Sequence, residues 1–300
     1  VTAATRLRRG GPGWPPALEH LGAAAPEALW VRSGAPLDEL TRPPSVAVVG
    51  ARRCSAAAER FARDLAAGLA AADVAVISGL ALGIDGAAHA GALDGGGRTV
   101  AVLGCGIDRL YPVRHAVLGE RVAAVGAVIS EWGPGVEPAP WRFPVRNRLI
   151  AALASATVVV EATRRSGALI TADHALALGR DVLAVPGPAW SVLGEGVNDL
   201  LRAGAMPVTG LDDVLDALGL PVATAPVQTD PKPDLGPEAD AVLARLRREP
   251  ARPNELALAL RMDASAVTMA LAELELAGLV VREAGDRLSA VAPGVSRPAR

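Results

Sequence analysis

From position 46 to about position 220 the chain alternates between short β-branched runs and alanine-rich stretches of helical spacing. The runs fall at 46–49, 74–77, 100–103, 125–129, 158–160 and 182–185. Unbroken apolar runs suit strands covered on both faces, and their alternation with helices implies a mostly parallel sheet wrapped on both sides. The pattern predicts a Rossmann-like, doubly wound α/β domain over 45–220.

The flanks read differently. Residues 1–44 are rich in Gly, Pro and Ala, which predicts an arm with few elements of its own, anchored by Trp14 and Trp30. Residues 221–236 are dominated by Pro, Thr and Asp and predict a linker, because such a composition buries too little surface to fold. Helical patterns at 238–249, 254–260 and 265–277 follow, then Leu279-Val280-Val281-Arg282, Gly285 and Arg287-Leu288-Ser289-Ala290. Three helices and a hairpin bent at glycine predict a C-terminal winged helix domain over 237–292, with Ser265 capping its third helix and 293–300 as a tail. Two domains agree with 300 residues at about 150 per domain.

Composition narrows the classes. Half of the residues are hydrophobic, which excludes a disordered chain, yet much of that half is alanine. The apolar stretch 151–160 is broken by Ser155 and Thr157 and is far shorter than the roughly 20 residues that span a bilayer. Arg6, Arg8 and Arg9 are followed by Gly, Pro and Trp rather than by the apolar core of a signal peptide, so a cytoplasmic location is expected, with no membrane partner. Cys54 and Cys105 form no CxxC pair, and neither a disulfide, a metal nor another cofactor is expected. The net charge of −2 leaves room only for a local nucleic-acid site. Lys232 is the only lysine, so arginine carries nearly all the positive charge. Codon bias accounts for such a preference, but arginine also suits phosphates and stacks on bases.

Ligands of open α/β sheets bind beyond the carboxyl ends of the strands. There the chain places Gly50-Ala51-Arg52-Arg53-Cys54-Ser55, the stretch from Ser78-Gly79 to Asp85, Gly104-Cys105-Gly106, Glu161 to Gly167, and Pro186-Gly187-Pro188. One such glycine is only a tight connection, whereas five turns on one edge describe a rim open to phosphate. Arg142, Arg146, Arg148, Arg164, Arg165 and Arg180 fall in a stretch whose only acids are Glu161 and Asp173. Their alternatives are phosphate contacts or solvated and buried structural arginines. In the segment 143–148, Pro144 predicts an extended entry and Asn147 a backbone contact, and Trp141 or Phe143 either stacks a base or joins the core. Asp85 reads as a helix cap and His89 as a helix-facing hydrogen-bonding group.

Over residues 46–220 the chain resembles the DNA-processing protein A (DprA/Smf) family. The resemblance is carried by Val-Gly-Ala-Arg (49–52), SGLxxGID with AAHAGAL (78–93), VLGCGIDRLYP (102–112), SEW (130–132), FPVRNRLIAAL (143–153), VVVEA with SGALIT (158–171), GRDVLAVPGP (179–188) and the run at 196–205. LELAGLV (274–280) is similar to the family's winged helix, and the stretch 14–32 to its N-terminal arm, while the family's common N-terminal helical domain is not recognisable. The resemblance implies binding of single-stranded DNA in a basic pocket, dimerisation through the Rossmann-like domain, and protection of incoming DNA with loading of the RecA recombinase in natural transformation. It implies a phosphate contact at Arg52 and a pocket wall from the SGALIT turn with Arg164 and Arg165. The full candidate DNA-binding set is Gly50, Arg52, Arg53, Ser78, Gly79, Gly104, Gly106, Arg146, Asn147, Arg148, Arg164, Arg165, Ser166, Gly167 and Thr171. Leu82, Thr163 and Gly194 depart from the arginine, lysine and serine usual there. Loss of charge at Leu82 is expected to weaken binding unless Arg53 or Arg164 compensates.

Catalysis finds little support. With Lys232 in the linker there is no P-loop or Schiff-base lysine, and Gly104-Cys105-Gly106 lacks the third glycine of a dinucleotide fingerprint. His20, His89, His115 and His174 form neither HExxH nor a serine-triad pattern. A non-enzymatic role is expected. Two alternatives remain: a LOG-like nucleoside monophosphate phosphoribohydrolase acting through Glu161, though its PGGxGTxxE signature is missing, and a winged-helix transcription regulator, though 265–277 holds no arginine or lysine.

Overall fold

The computed structural model describes residues 3–221, 235–282 and 287–290. The chain divides into two compact units, 1–222 and 223–300. In the first, a nine-stranded sheet is built from β1 (Thr5–Arg8), β2 (Ala28–Ser33), β3 (Ser45–Val49), β4 (Ala75–Ser78), β5 (Thr99–Leu103), β6 (Ala127–Ser130), β7 (Ala156–Val159), β8 (Asp181–Ala184) and β9 (Met206–Pro207). Its helices are α1 (Leu37–Leu40), α2 (Ala56–Ala71), α3 (Ile84–Asp94), α4 (Ala116–Val125), α5 (Arg142–Leu153), α6 (Gly167–Ala177), α7 (Glu195–Arg202) and α8 (Leu211–Ala217).

The strand order is β1-β2-β6-β5-β4-β3-β7-β8-β9. Neighbours from β6 to β9 run parallel, and only β1 with β2 and β2 with β6 are antiparallel. The six apolar runs of the sequence correspond to β3 through β8. Each is apolar throughout because both faces are covered. In β3, Val46 and Val48 pack with Leu65 and Leu69 of α2 on one side, and Ala47 and Val49 with Leu149 and Ile150 of α5 on the other. Burial of each such leucine or isoleucine contributes about 1.5–3 kcal/mol.

The arm carries more structure than its composition predicts. It supplies β1, at the sheet edge, and β2, which pairs with both β1 and β6; both mix polar with apolar residues and so lack the continuous apolar signature of the inner strands. Trp14 is buried, with its indole N–H donating to Glu19 Oε1 at 2.9 Å, and Trp30 is half-buried. Residues 143–148 also differ from expectation. Pro144 lies in the first turn of α5 rather than in an extended entry, where its missing N–H costs no helical hydrogen bond.

The second unit holds α9 (Pro237–Leu246), α10 (Pro253–Leu260), α11 (Ala264–Leu276) and the antiparallel pair β10 (Val280–Arg282) and β11 (Leu288–Ala290). Val242, Leu246, Leu256, Leu271, Leu274 and Leu288 form its core. The cap of α11 is Asp263, whose Oδ1 accepts from Ala266 N at 2.8 Å, and not Ser265, which lies inside the first turn. Most of the expected linker, the bend at Gly285 and the tail lie outside the described residues. Among the described residues no helix is long and apolar enough to cross a membrane, and no group of three His, Cys, Asp or Glu is arranged to hold a metal ion.

Candidate nucleic-acid interface

The chain runs from β3 outward through β4 and β5 to β6, then returns to place β7 on the other side of β3. This reversal opens a crevice at the carboxyl ends of β3 and β7, the usual ligand position of such sheets. A cleft of about 930 Å³ lies there. One wall is the loop 50–54 after β3, the other the turn leading into α6 with Thr163, Ser166, Gly167, Ala168 and Thr171, and the floor comes from α5 with Asp85 of α3.

The first wall is stitched to its surroundings. Ala51 N donates to Glu161 O at 2.6 Å, and a Cβ at Gly50 would overlap Ile84, so the loop lies flat on α3. Ser55 caps α2 by accepting from Ala58 N at 3.1 Å. Its own N–H and hydroxyl donate to the two oxygens of the buried Glu161 at 2.8 and 3.0 Å. The N-terminus of α2 therefore already holds a carboxylate, which suits its partial positive charge. The N-terminus of α6 is open: Ser166 caps it by accepting from Ala168 N, and nothing lies within 4 Å of the place a Gly167 side chain would occupy.

The arginines divide sharply. Arg52 and Arg53 are exposed and line the cleft, the Arg52 guanidinium 5.0 Å above the ring of Phe143. Arg146 also lines the cleft but is buried. It donates to Gly79 O at 2.8 Å, to Val102 O, and through Nε to Asn147 Oδ1 at 3.0 Å. Burial lowers its pKa to about 10, partly offset by the Asp85 carboxylate, so it stays charged at neutral pH. A side chain at Gly79 would collide with that guanidinium, which is why the first glycine of the SGLxxGID segment is needed. Asn147 Nδ2 donates to Gly167 O at 3.0 Å and ties the buried arginine to the open end of α6.

The other candidates lie elsewhere. Arg148 pairs with Glu131 at 2.6 Å and donates to Ala24 O at 3.0 Å, holding the arm. Arg164 pairs with Asp199 at 2.7 Å and Glu195 at 3.7 Å, and Arg180 donates to Ala151 O and Ala154 O. Arg142 lies over the rings of Trp141 and Trp132 at 4.8 and 5.9 Å. Arg165 is exposed, outside the lining. Ser78 is buried and donates to Val48 O at 2.7 Å. Gly104 packs against Phe143, and Gly106 is enclosed by Asp108, Gly133 and Val136. Of the departures from the family pattern, Thr163 lines the cleft and Leu82 does not.

Two groups have clearer roles than their sequence context suggested. Asp85 does not cap its own helix; it is buried and accepts from Gly79 N at 3.1 Å, and burial pushes its carboxyl up. His89 bonds Thr99 Oγ1 through Nδ1 at 2.8 Å. Because that hydroxyl donates to Val76 O at 2.9 Å, Nδ1 must be the donor. Tyr111 is a lining residue the sequence did not single out, its ring 5.7 Å from that of Phe143. No local signal marks it, since only the fold brings the 102–112 loop to α5.

The family model of DNA recombination-mediator protein A matches residues 6–219, and that of the DprA winged helix domain matches 225–286. The chain belongs to the DprA/Smf family. It is 54% identical over 195 residues to the putative DNA processing protein DprA of Mycobacterium tuberculosis, covering 65% of this chain and 50% of that protein. The chain thus spans about half the length of that relative. It is 33% identical to protein Smf of Synechocystis over 276 residues, 81% of this chain and 69% of that one. The crystal structure of DprA from Streptococcus pneumoniae aligns with a TM-score of 0.66 and 39% identity, covering 71% of this chain and 73% of that one. DNA processing protein A of Helicobacter pylori, described with a single-stranded DNA binding mode, aligns at 0.65 with 26% identity, covering 72% and 96%.

The third helix of the winged helix domain, α11, holds no arginine or lysine, and its only charges are the acids Glu273 and Glu275. The exposed positions Ser265, Thr268, Met269, Ala272 and Leu276 of α11 offer no cation to a phosphate.

Proposed function

We propose that the cleft between the ends of β3 and β7 binds single-stranded DNA, chiefly through its phosphates and with little base preference. The observation that carries this reading is the convergence, across one cleft, of exposed Arg52 and Arg53 with the open N-terminus of α6. Arginine forks and helix N–H groups both suit phosphate oxygens, and Phe143 beneath Arg52 offers a face for a base. The single-stranded DNA binding mode described for the Helicobacter pylori relative supports the same ligand.

In this reading the protein acts without a catalytic step. It protects incoming single strands in the cytoplasm and loads RecA recombinase onto them in natural transformation, working as a homodimer joined through its first unit. Family membership supports these roles. A titration of the chain with labelled oligothymidine at two salt concentrations tests the central claim. Affinity should fall steeply as salt rises, because each neutralised phosphate releases counterions. Absence of binding, or binding indifferent to salt, overturns it.

A further inference from the structure

Beyond β8 the chain makes a closed loop whose two ends touch. A Cβ on Gly187 would lie 2.6 Å from the Cα of Gly194, so the backbones meet there and residues 188–193 project as a knuckle. Asn198 of α7 locks one end, donating to Gly187 O at 3.0 Å and accepting from Gly187 N at 3.2 Å. Within the knuckle Ser191 N bonds Pro188 O and Gly194 N bonds Ser191 O, both at 3.0 Å.

This knuckle is fixed to the cleft wall. Gly196 N donates to Ala162 O at 2.8 Å, and the chain passes so close to Thr163 O that only glycine fits at 196. The ion pairs of Arg164 with Glu195 and Asp199 brace the same junction. Leu193 lines the cleft. Three residues away, and so at most ~10 Å along the chain, stands Trp190, 89% exposed. A tryptophan held out in water on a clamped loop loses most of the burial that usually stabilises it.

We infer that Trp190 is a second stacking platform, which takes a base of the strand where it leaves the cleft and so lengthens the footprint on single-stranded DNA. The inference rests on the proposed single-strand binding. An aromatic face accepts any base, in keeping with a site that ignores sequence. The clamp at Gly187, Gly194 and Asn198 sets the ring before the strand arrives, so little ordering remains to be done on binding.

The test compares Trp190→Ala, Trp190→Phe and Arg52→Ala with the unaltered chain, using labelled oligothymidines of about 4 and about 16 nucleotides, the range of single-strand site sizes. Trp190→Ala should weaken the longer oligonucleotide about tenfold and leave the shorter one unchanged. Trp190→Phe should restore most of the affinity while abolishing the part of the tryptophan fluorescence quenching that only the longer oligonucleotide produces. Arg52→Ala should weaken both. Equal affinities of Trp190→Ala and the unaltered chain for both lengths, equal losses on both, or a loss accompanied by a change of oligomeric state in sedimentation would each overturn the stacking role. If the unaltered chain binds neither oligonucleotide, the proposed function itself fails, a result distinct from failure of the platform alone.

Discussion

The guanidinium of Arg52 lies 5.0 Å above the ring of Phe143 at the wall of the cleft, and both side chains remain accessible. An exposed cation–π pair of this kind contributes about 0.5–1 kcal/mol to the fold. Arg52→Ala is therefore expected to change unfolding free energy by no more than that, while weakening oligothymidine binding at least tenfold and reducing its salt dependence by the share of one phosphate contact. Denaturant unfolding and a salt series of titrations measure the two effects separately. Intact binding with reduced stability would make Arg52 structural.

Arg146 should behave in the opposite way. Its removal leaves Gly79 O, Val102 O and the Asn147 amide oxygen without their donor, and Asp85 without the neighbouring charge that favours its ionised form. Breaking a buried charged network costs about 3–5 kcal/mol. Arg146→Met is expected to lower thermal stability by that order, with DNA binding lost as a consequence of unfolding. A variant that melts like the original chain would contradict the buried role.

Glu161 receives the N–H and the hydroxyl of Ser55 and is committed to the cap of α2. Glu161→Ala leaves those donors unsatisfied and should destabilise the fold by about 1–3 kcal/mol. A catalytic glutamate would need its carboxylate free for substrate. Incubation of the unaltered chain with AMP is expected to release no free base by chromatography; release that disappears in Glu161→Gln would establish the phosphoribohydrolase alternative.

Acid should destabilise the first unit through His89. Burial pushes its pKa down from 6.5 to about 3, so the folded state keeps it neutral while the unfolded chain takes up a proton. The contribution of this group is complete above pH 6.5 and falls as pH drops toward 3, by about 1.4 kcal/mol per pH unit within that window. Asp85, whose pKa is raised, acts with the opposite sign: its preference for the protonated form favours folding at low pH and is lost as pH rises. Comparing unfolding free energies of the chain and of His89→Gln between pH 4 and 7 cancels the Asp85 contribution. A flatter profile for His89→Gln is expected, and parallel profiles would remove His89 from the account.

The inner strands could be read directly because burial on both faces writes itself into every residue of a run, as in Val46-Ala47-Val48-Val49. The antiparallel strands β1 and β2 carry no such mark, since burial varies from residue to residue along them. Loops at strand ends are equally legible: Gly50, Arg52, Arg53, Ser166 and Gly167 all follow a strand in sequence, and all line the cleft. Trp190 and Tyr111 had no local signal, because what matters is the loop closure or the distant helix that brings each ring to its place.

The sequence by itself determined the parallel sheet, the winged helix and the sheet edge that carries the cleft, since hydrophobic period and strand-end glycines are local properties. Only the tertiary structure decided which arginines reach that edge. Arg146 and Arg148 are two positions apart on α5, and at 3.6 residues per turn their side chains leave the helix about 200° apart. One is buried under the cleft and the other holds the arm through Glu131 and Ala24. Their spacing was visible in the sequence, but which side of α5 meets the sheet is settled by how Leu149 and Ile150 pack on β3.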